Sequence, residues 1–523
     1  MQFAVLKSDL NMKPFAHAKG KRFDLNASTS VAQQKMHLLE ALEALGKIVP
    51  VEDDIKLDDY KNLCARPDTI VVTVHHALPY AQVPRRLLLH SLGDFMLTSV
   101  YFNHEHFAGN TINLMTSRLQ AQRIKEHLGE AAPGLGVFTP RLKQDNFYPP
   151  SREEKASARG KMKLAKNTKH IVYAGRWLSN KGICQVMRVL NLWPMADIKI
   201  SFDGNFEPPF TINQTGANHH TFSAYFEREV VRRNCHTQLY LLKAHGPEAL
   251  RELLWSADLF VYPSIHEDEN FGMVPREAVL CGVPVVVTDF CGLGQLGRGV
   301  GGLLPTYPTL AGPRYSLKVL RDLIADGLST SKYKLNKNIR FVSAECYPLT
   351  AMADLKRAAE TLMRQPLVKD LPTPKAAGSE LFSRLLRYAD PGILEAVLAK
   401  NKPIPDGLLV DGTGCYNKEI AYNKFLSTIQ GFYTTVDKPP LIEAGSVLRG
   451  FSRLALWQEE KALVELGFPG PRVKRYGDKD WHDLLACIEI QPDQEIILCP
   501  RTVDQLRLVR ELVELGYLVP DIW

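Results

Sequence analysis

From about residue 168 the sequence settles into a rhythm that few folds accept: short, β-branched apolar runs alternate with helical stretches. HIVYAG, DIKISFDG, QLYLLK, LFVYPS and PVVVTD read as strands, with PVVVTD closing the series. The stretch beyond Lys181, then SAYFEREVVRRN, PEALRELLWSA and VPREAVLCG read as the intervening helices. Strands that alternate with helices are joined by right-handed crossovers and pair in parallel. These runs are continuously apolar, as required when helices cover both faces of a sheet. The pattern is that of nucleotide-binding α/β units, which does not by itself make a nucleotide site.

The rest of the chain frames that unit. A length of 523 residues suggests about three domains. Residues 1–150 read as a first α/β unit. In it, ASTSVAQQKMHLLEALEALGK forms a helix stopped by Gly46, TIVVTV (69–74) a strand, and TINLMTS (111–117) a strand followed by a helix through His127. Residues 151–168 read as a basic linker. The stretch 151–170 holds seven lysines and arginines against two glutamates, and so supplies most of the formal net charge of +7. Such a run usually marks a solvated connector; the alternative is attraction to acidic lipid or nucleic acid. Residues 169–365 form the second unit, and its last helical patterns, SLKVLRDLIADGL and LTAMADLKRAAETLMRQ, are candidates to cross back onto the first. Residues 366–378, with three prolines, read as a second linker. Residues 379–523 read as a mostly helical or mixed α/β extension ending in the strand EIILC and the helix TVDQLRLVRELVEL. Thr502 is placed as N-cap and Gly516 just beyond the end. Leu506, Val509, Leu512 and Val513 share one face of that helix, a packing stripe that favours docking on the core.

Composition narrows the function. Apolar residues make up 45 % and charged residues 23 %, ordinary for a soluble globular chain. No uninterrupted apolar run reaches the ~18 residues of a membrane span, and MQFAVLKSDLNMKPF lacks the basic start and apolar core of a secretory signal. The nine cysteines are scattered without a Cys-x-x-Cys pair, which fits free thiols in a reducing cytoplasm. No His/Cys/Asp cluster has metal-site spacing. Asp411-Gly412-Thr413-Gly414 is glycine-rich but lacks the lysine of a phosphate loop.

The chemistry concentrates in EDENFGMVPREAVLCGVPVVVTD (267–289). In an open parallel sheet, ligands bind beyond the carboxyl ends of strands, and the loop IHEDENFG follows the strand LFVYPS. Pro275 suits the first turn of a helix, which turns the amides of Gly272, Met273 and Val274 toward the cleft as anion donors. Glu269 in the loop and Glu277 in the first helical turn suit sugar hydroxyls better than phosphate. YAGRWLSNKG (173–182) takes the corresponding position on the first strand-to-helix loop. Its two cations, Arg176 and Lys181, can neutralise a diphosphate leaving group without a metal, although each taken singly is more often a surface charge.

These residues resemble a family. Gly175-Arg176 with Lys181-Gly182, then Tyr262-Pro263-Ser264, Glu269-Asn270-Phe271-Gly272, Glu277-Ala278, Gly282 and Pro284-Val285-Val286 are similar to the retaining, nucleotide-sugar-dependent glycosyltransferases of family 4 (group 1). The seven residues between Glu269 and Glu277 fit, as does GVPVVVTDFCG. The likeness covers residues 165–300 and extends weakly over 1–150. It implies the GT-B fold, two Rossmann-like domains facing a cleft, with the C-terminal extension added. It implies that Arg176 and Lys181 contact the diphosphate and Glu269 the donor sugar. Asn270 falls within the same donor motif; Phe271, Gly272, Met273 and Val274 line it through their backbone, and Glu277 holds the ribose. His75 in VTVHHALPY matches a histidine that faces the donor sugar, with His76 as the alternative, and an ordinary loop histidine is as good a reading. The glycine-rich loop common near the start of the family is missing: HAKGKRFDLNASTS has a single glycine, Gly20.

The expected activity is retaining sugar transfer from a nucleotide diphosphate sugar to an acceptor hydroxyl. UDP-sugar is favoured over GDP-sugar, and neither a cofactor nor a metal is expected. The expected setting is bacterial surface polysaccharide or glycolipid synthesis in the cytoplasm. Partners are a glycan or lipid-linked acceptor and a peripheral contact with the inner face of the membrane, with nucleic acid ranked behind. Two alternatives stand beside it: transfer to nucleic acid or protein, and a non-catalytic relative that binds sugar or a partner.

Overall fold

The computed structural model describes residues 1–7, 30–52, 54–74, 84–90, 109–128, 134–142, 145–175, 179–193, 198–203, 238–242, 246–266, 269, 271–309, 312–330, 332–365, 439–466, 472–491 and 495–521. The calls on His75, His76, Arg176, Asn270, SAYFEREVVRRN, residues 366–378 and Asp411 to Gly414 lie outside these.

The first unit is a six-stranded parallel sheet with strand order β2-β1-β3-β4-β5-β6. Its strands are β1 (Gln2–Leu6), β2 (Lys47–Val51), β3 (Thr69–Val74), β4 (Leu87–His90), β5 (Thr111–Met115) and β6 (Gly134–Val137). Among the described residues, its helices are α1 (Ser30–Leu45), α2 (Leu57–Ala65) and α3 (Arg118–Leu128). The sequence had marked β3 and β5, whose β-branched runs are wholly buried. It missed β2, which carries Pro50, and β6, half glycine, both at sheet edges, where proline and weak strand formers are tolerated.

The second unit is another six-stranded parallel sheet, in the order β12-β11-β10-β7-β8-β9. It is built from β7 (Lys169–Ala174), β8 (Ile198–Asp203), β9 (Gln238–Leu242), β10 (Leu259–Tyr262), β11 (Val285–Thr288) and the short β12 (Leu303–Leu304). PVVVTD therefore does not close the series, because β12 adds an edge strand on β11. The helices are α4 (Arg152–Lys161), α5 (Ile183–Leu192), α6 (Pro247–Ser256), α7 (Met273–Leu280), α8 (Leu293–Val300), α9 (Leu317–Gly327), α10 (Lys332–Glu345) and α11 (Pro348–Arg364). The strand order reverses between β7 and β10, so their carboxyl-terminal loops flank the switch-point crevice where this topology binds ligands.

The segment expected as a basic linker contains helix α4. Ser151 and Glu154 close a reciprocal capping box, with Glu154 N donating to Ser151 Oγ at 3.1 Å and Ser151 N to Glu154 Oε2 at 2.8 Å. Arg159 donates to the Ser256 carbonyl at the end of α6 and to Asp258, while Lys161 pairs with Glu252. Arg159 and Lys161 thus tie α4 to its neighbour, while Arg152, Lys163, Lys166 and Lys169 remain exposed.

Helix α11 crosses back: its Ala351, Leu355, Ala358, Ala359 and Leu362 join the core of the first sheet with Phe3, Val5, Ile70, Val72 and Leu114. Arg86 fastens it, donating from Nε to the Leu362 carbonyl at 2.8 Å. The two units thus share a helix, and the plan is GT-B: two Rossmann-like α/β units with an added C-terminal region.

Of the two forms expected for that region, mostly helical or mixed α/β, its described residues take the mixed one. Where described, it contains two antiparallel sheets: β17-β18-β13-β19 and β14-β15-β16. The strands are β13 (Leu448–Gly450), β14 (Arg453–Trp457), β15 (Ala462–Leu466), β16 (Arg472–Arg475), β17 (Ile488–Ile490), β18 (Ile496–Leu498) and β19 (Leu518–Pro520), accompanied by α12 (Asp478–Ala486) and α13 (Val503–Glu514). Thr502 caps α13 in a full capping box, and Leu508, Val509, Leu512 and Val513 of that helix enter the same apolar cluster as the second unit. Arg188 of α5 donates to the Gly450 carbonyl at 3.2 Å and forms a buried ion pair with Glu495. Arg314 donates to the Gly516 carbonyl at 3.1 Å and stacks on Phe451 at 4.5 Å. The extension is docked on the second unit.

Candidate active site

Two loops meet at the switch point. The first leaves β7 at Gly175, whose N–H donates to the Asp203 carbonyl at 3.0 Å, and reaches α5 through a short 3-10 turn at Ser179–Lys181. The second leaves β10 at Pro263. Ile265 N donates to the Asn180 carbonyl at 2.8 Å and laces the two together. Gly182, at φ +79°, is needed at this seam: a Cβ there would lie 2.4 Å from the Pro263 carbonyl oxygen.

The seam brings Lys181 and Glu269 into contact. Lys181 Nζ lies 2.5 Å from Glu269 Oε2, and the two residues are 3 % and 8 % exposed. The same oxygen accepts from Tyr262 Oη at 2.9 Å and Ser264 Oγ at 3.2 Å. A buried carboxylate is tolerable when its lone pairs are filled this way. Lys181 is therefore not a solvent-facing loop cation; it is one of three donors converging on a single oxygen. Tyr262 and Ser264 were noted in the sequence as part of a strand and its end, and their role as Glu269's donors was missed. The Tyr-Pro-Ser triplet just past a strand, five to seven residues before the glutamate, was the available signal.

Glu269 leads into α7. Gly272 caps that helix at φ +72°, and a Cβ on it would meet Leu293 Cδ2 at 2.4 Å, so the tight entry requires glycine. Met273 opens the helix, Val274 follows, and Pro275 sits in its first turn. The first amides of a helix have no carbonyl partner within it, so those of Gly272, Met273 and Val274 remain donors for an anion. Glu277 lies one turn deeper than expected, since the first turn holds no acidic residue. It is 8 % exposed, and no hydrogen bond or ion pair reaches its carboxyl among the described residues. Burial alone pushes its pKa from 4.5 up to about 8. A buried carboxyl without a protein partner is costly unless something else supplies donors.

Phe271 is held from behind. The Arg276 guanidinium lies 3.8 Å from the Phe271 ring centre and donates to the Phe271 carbonyl. Arg276 is wholly buried and pairs with Glu345 through two 2.7 Å bonds. Sequence reasoning missed Arg276; the sign was a lone arginine between Pro275 and Glu277 in an otherwise apolar helix. Among the described residues, no group of three or more His, Cys, Asp or Glu side chains could hold a metal. No helix among them is long and apolar enough to cross a membrane.

The first unit reaches this site from the other side. Arg123 of α3 pairs with Asp289, at the end of β11, at 2.8 Å with both side chains buried. Ser117 Oγ and the Leu119 N–H both donate to Gln295 Oε1 of α8, at 2.9 and 3.0 Å.

Several known proteins resemble parts of this chain. D-inositol 3-phosphate glycosyltransferase of Paenarthrobacter aurescens (strain TC1) is 27 % identical over 194 residues, covering 35 % of this chain and 42 % of that protein. The protein of the same name from Rhodococcus erythropolis (strain PR4 / NBRC 100887) is 41 % identical over 68 residues, covering 13 % and 15 %. The chain thus spans less than half the length of these curated relatives. Among solved structures, sucrose-phosphate synthase from Thermosynechococcus elongatus is 15 % identical with a TM-score of 0.49, covering 69 % of this chain and 98 % of that one. Anabaena HepE, in complex with UDP and glucose, is 14 % identical with a TM-score of 0.46, covering 69 % and 100 %. Residues 154–298, which carry α4, Lys181, Glu269 and Glu277, match the family described as Glycosyl transferases group 1.

Proposed function

We propose that the protein is a glycosyltransferase that moves a sugar from a nucleotide diphosphate sugar, UDP-sugar in preference to GDP-sugar, to an acceptor hydroxyl. The observation that carries this reading is the buried Glu277 carboxyl, which has no partner among the described residues and is raised to about 8, next to a helix entry whose amides suit a diphosphate. Two ribose hydroxyls supply the donors that the fold withholds. Glu269, presented by Tyr262 and Ser264, takes hydroxyls of the donor sugar. Lys181 and Arg176 offset the charge that develops on the leaving diphosphate, the task a metal performs in other transferases. Transfer proceeds with retention: the acceptor oxygen bonds to the anomeric carbon on the face that the diphosphate leaves, and the acceptor proton passes to the departing phosphate oxygen. In this reading the acceptor is a glycan or lipid-linked glycan, and the reaction needs no divalent cation. His75 and Asn270 complete the donor-sugar side.

Calorimetric titration with UDP and with GDP tests the reading. Saturable binding of UDP, lost in Glu277→Ala, is expected. Binding of neither nucleotide by the intact protein would overturn it.

A further inference from the structure

The expected donor loop is tied to the opposite unit by an unbroken chain of buried and part-buried polar contacts. It begins at the Phe271 carbonyl, which accepts from Arg276 Nη1. Arg276 Nε and Nη2 each lie 2.7 Å from one oxygen of Glu345, at the end of α10. Glu345 Oε1 also accepts from Gln295 Nε2 on α8. Gln295 Oε1 in turn accepts from Ser117 Oγ and from the Leu119 N–H, in the first turn of α3 of the first unit. Every member is used on both sides. The guanidinium is occupied by Glu345, the Phe271 carbonyl and the Phe271 ring, which turns Arg276 away from any ligand.

We propose that Arg276, Glu345 and Gln295 are positioning residues that set the Phe271–Gly272 peptide for the nucleotide sugar, and that their anchorage on Ser117 and Leu119 makes donor affinity depend on contact between the two units. The proposal rests on the reading of this loop as the donor site. Three features support it. The relay ends on the peptide that enters α7, whose amides face the expected diphosphate. Arg276 is fully buried and Glu345 is 6 % exposed at its side chain, so a lost partner leaves a group that water does not readily compensate. Gln295 provides the Leu119 N–H with an acceptor that its own helix lacks, so separating the units leaves an orphan donor on one side and a slack relay on the other. None of these residues touches the reacting atoms; their effect passes through the backbone of Phe271 and Gly272.

The test is a double-mutant cycle read by UDP affinity in the full chain. Gln295→Ala should weaken UDP binding by roughly two- to thirtyfold, the span typical of residues that couple sites without touching the ligand. Ser117→Ala should weaken it in the same direction by less, and the double variant should bind no more weakly than Gln295→Ala alone. A merely structural role would lower the melting temperature of each variant and leave UDP affinity unchanged, which would overturn the relay. Independent, additive losses of affinity would overturn it as well. If the unaltered protein binds no UDP, the donor-site reading itself fails and the relay falls with it. The relay fails alone if the unaltered protein binds and Gln295→Ala binds equally well.

Discussion

Lys181 Nζ and Glu269 Oε2 lie 2.5 Å apart, on loops that leave two strands distant in sequence and adjacent in the sheet. The pair places a buried ammonium on the carboxylate expected to meet the donor sugar. On the proposed reading, a bound donor would give Lys181 a second anion within reach and leave Glu269 held by Tyr262 and Ser264.

Lys181→Ala should therefore cut turnover roughly ten- to a thousandfold, the scale for loss of one electrostatic stabiliser of a transition state. Because the pair is buried, it should also lower stability, by about 3 kcal/mol. Steady-state turnover of a UDP-sugar alongside chemical denaturation checks both. Lost turnover should persist in Lys181→Arg, whose guanidinium keeps the charge but not the compact ammonium, while most of the stability returns.

Tyr262→Phe removes one donor from Glu269 without changing the ring that packs against Tyr173 at 5.5 Å. The expected cost is about 1 kcal/mol in stability, with a rise in KM for the donor sugar larger than any change in UDP affinity. Equal losses for UDP and UDP-sugar would place Glu269 away from the sugar.

Burial moves the Glu277 pKa from 4.5 to about 8, so the folded protein favours the protonated carboxyl. Its contribution to stability is full below 4.5 and is lost as pH rises through about 8. Glu277→Gln should remove that slope. Ribose hydroxyls donating to the carboxylate select the ionised form. UDP affinity should accordingly rise between about pH 6 and about pH 9, with proton release on binding near neutrality. Calorimetry in two buffers of different ionisation enthalpy measures the proton directly; zero release, or an unchanged profile in Glu277→Gln, would count against the assignment.

Glu495→Ala leaves Arg188 buried without its carboxylate at the seam between the second unit and the C-terminal region. A loss of about 3 kcal/mol follows. UDP affinity should be unchanged, because Arg188 sits midway along α5 while Lys181 precedes that helix and Glu269 and Glu277 lie on other elements. A fall in affinity matching the fall in stability would tie the extension to the site.

The fold was legible where single strands are buried on both faces. Thr69–Val74, Leu259–Tyr262 and Val285–Thr288 announce themselves as continuous apolar runs. Lys47–Val51 and Gly134–Val137 do not, because edge strands tolerate residues that a central strand rejects. The charge run at 151–168 hid a helix whose Ser-x-x-Glu capping box was readable, had the basic residues not drawn attention to solvent. At the candidate site, the glutamates and Lys181 stood out by their strand-to-helix loops and by the family resemblance, and Glu269's place beside Lys181 follows from the strand order. The partners were not legible. Tyr262 reads as a core aromatic, Arg276 as a helix-surface cation, and Gln295 and Glu345 as unremarkable polar residues. Tyr262 meets Glu269 seven residues on, but Arg276, Glu345 and Gln295 acquire their roles from neighbours far away in sequence, which no local pattern encodes.

The central claim is that the crevice between the β7 and β10 loops holds a nucleotide diphosphate without a metal. Titrating the full chain with UDP in the presence of EDTA, beside Glu277→Ala under the same conditions, tests it most directly. One saturable site in the unaltered protein and at least tenfold weaker binding in the variant, roughly the value of a hydrogen-bonded charge, is the predicted result. Binding that requires added manganese or magnesium, or that is identical in Glu277→Ala, would contradict it.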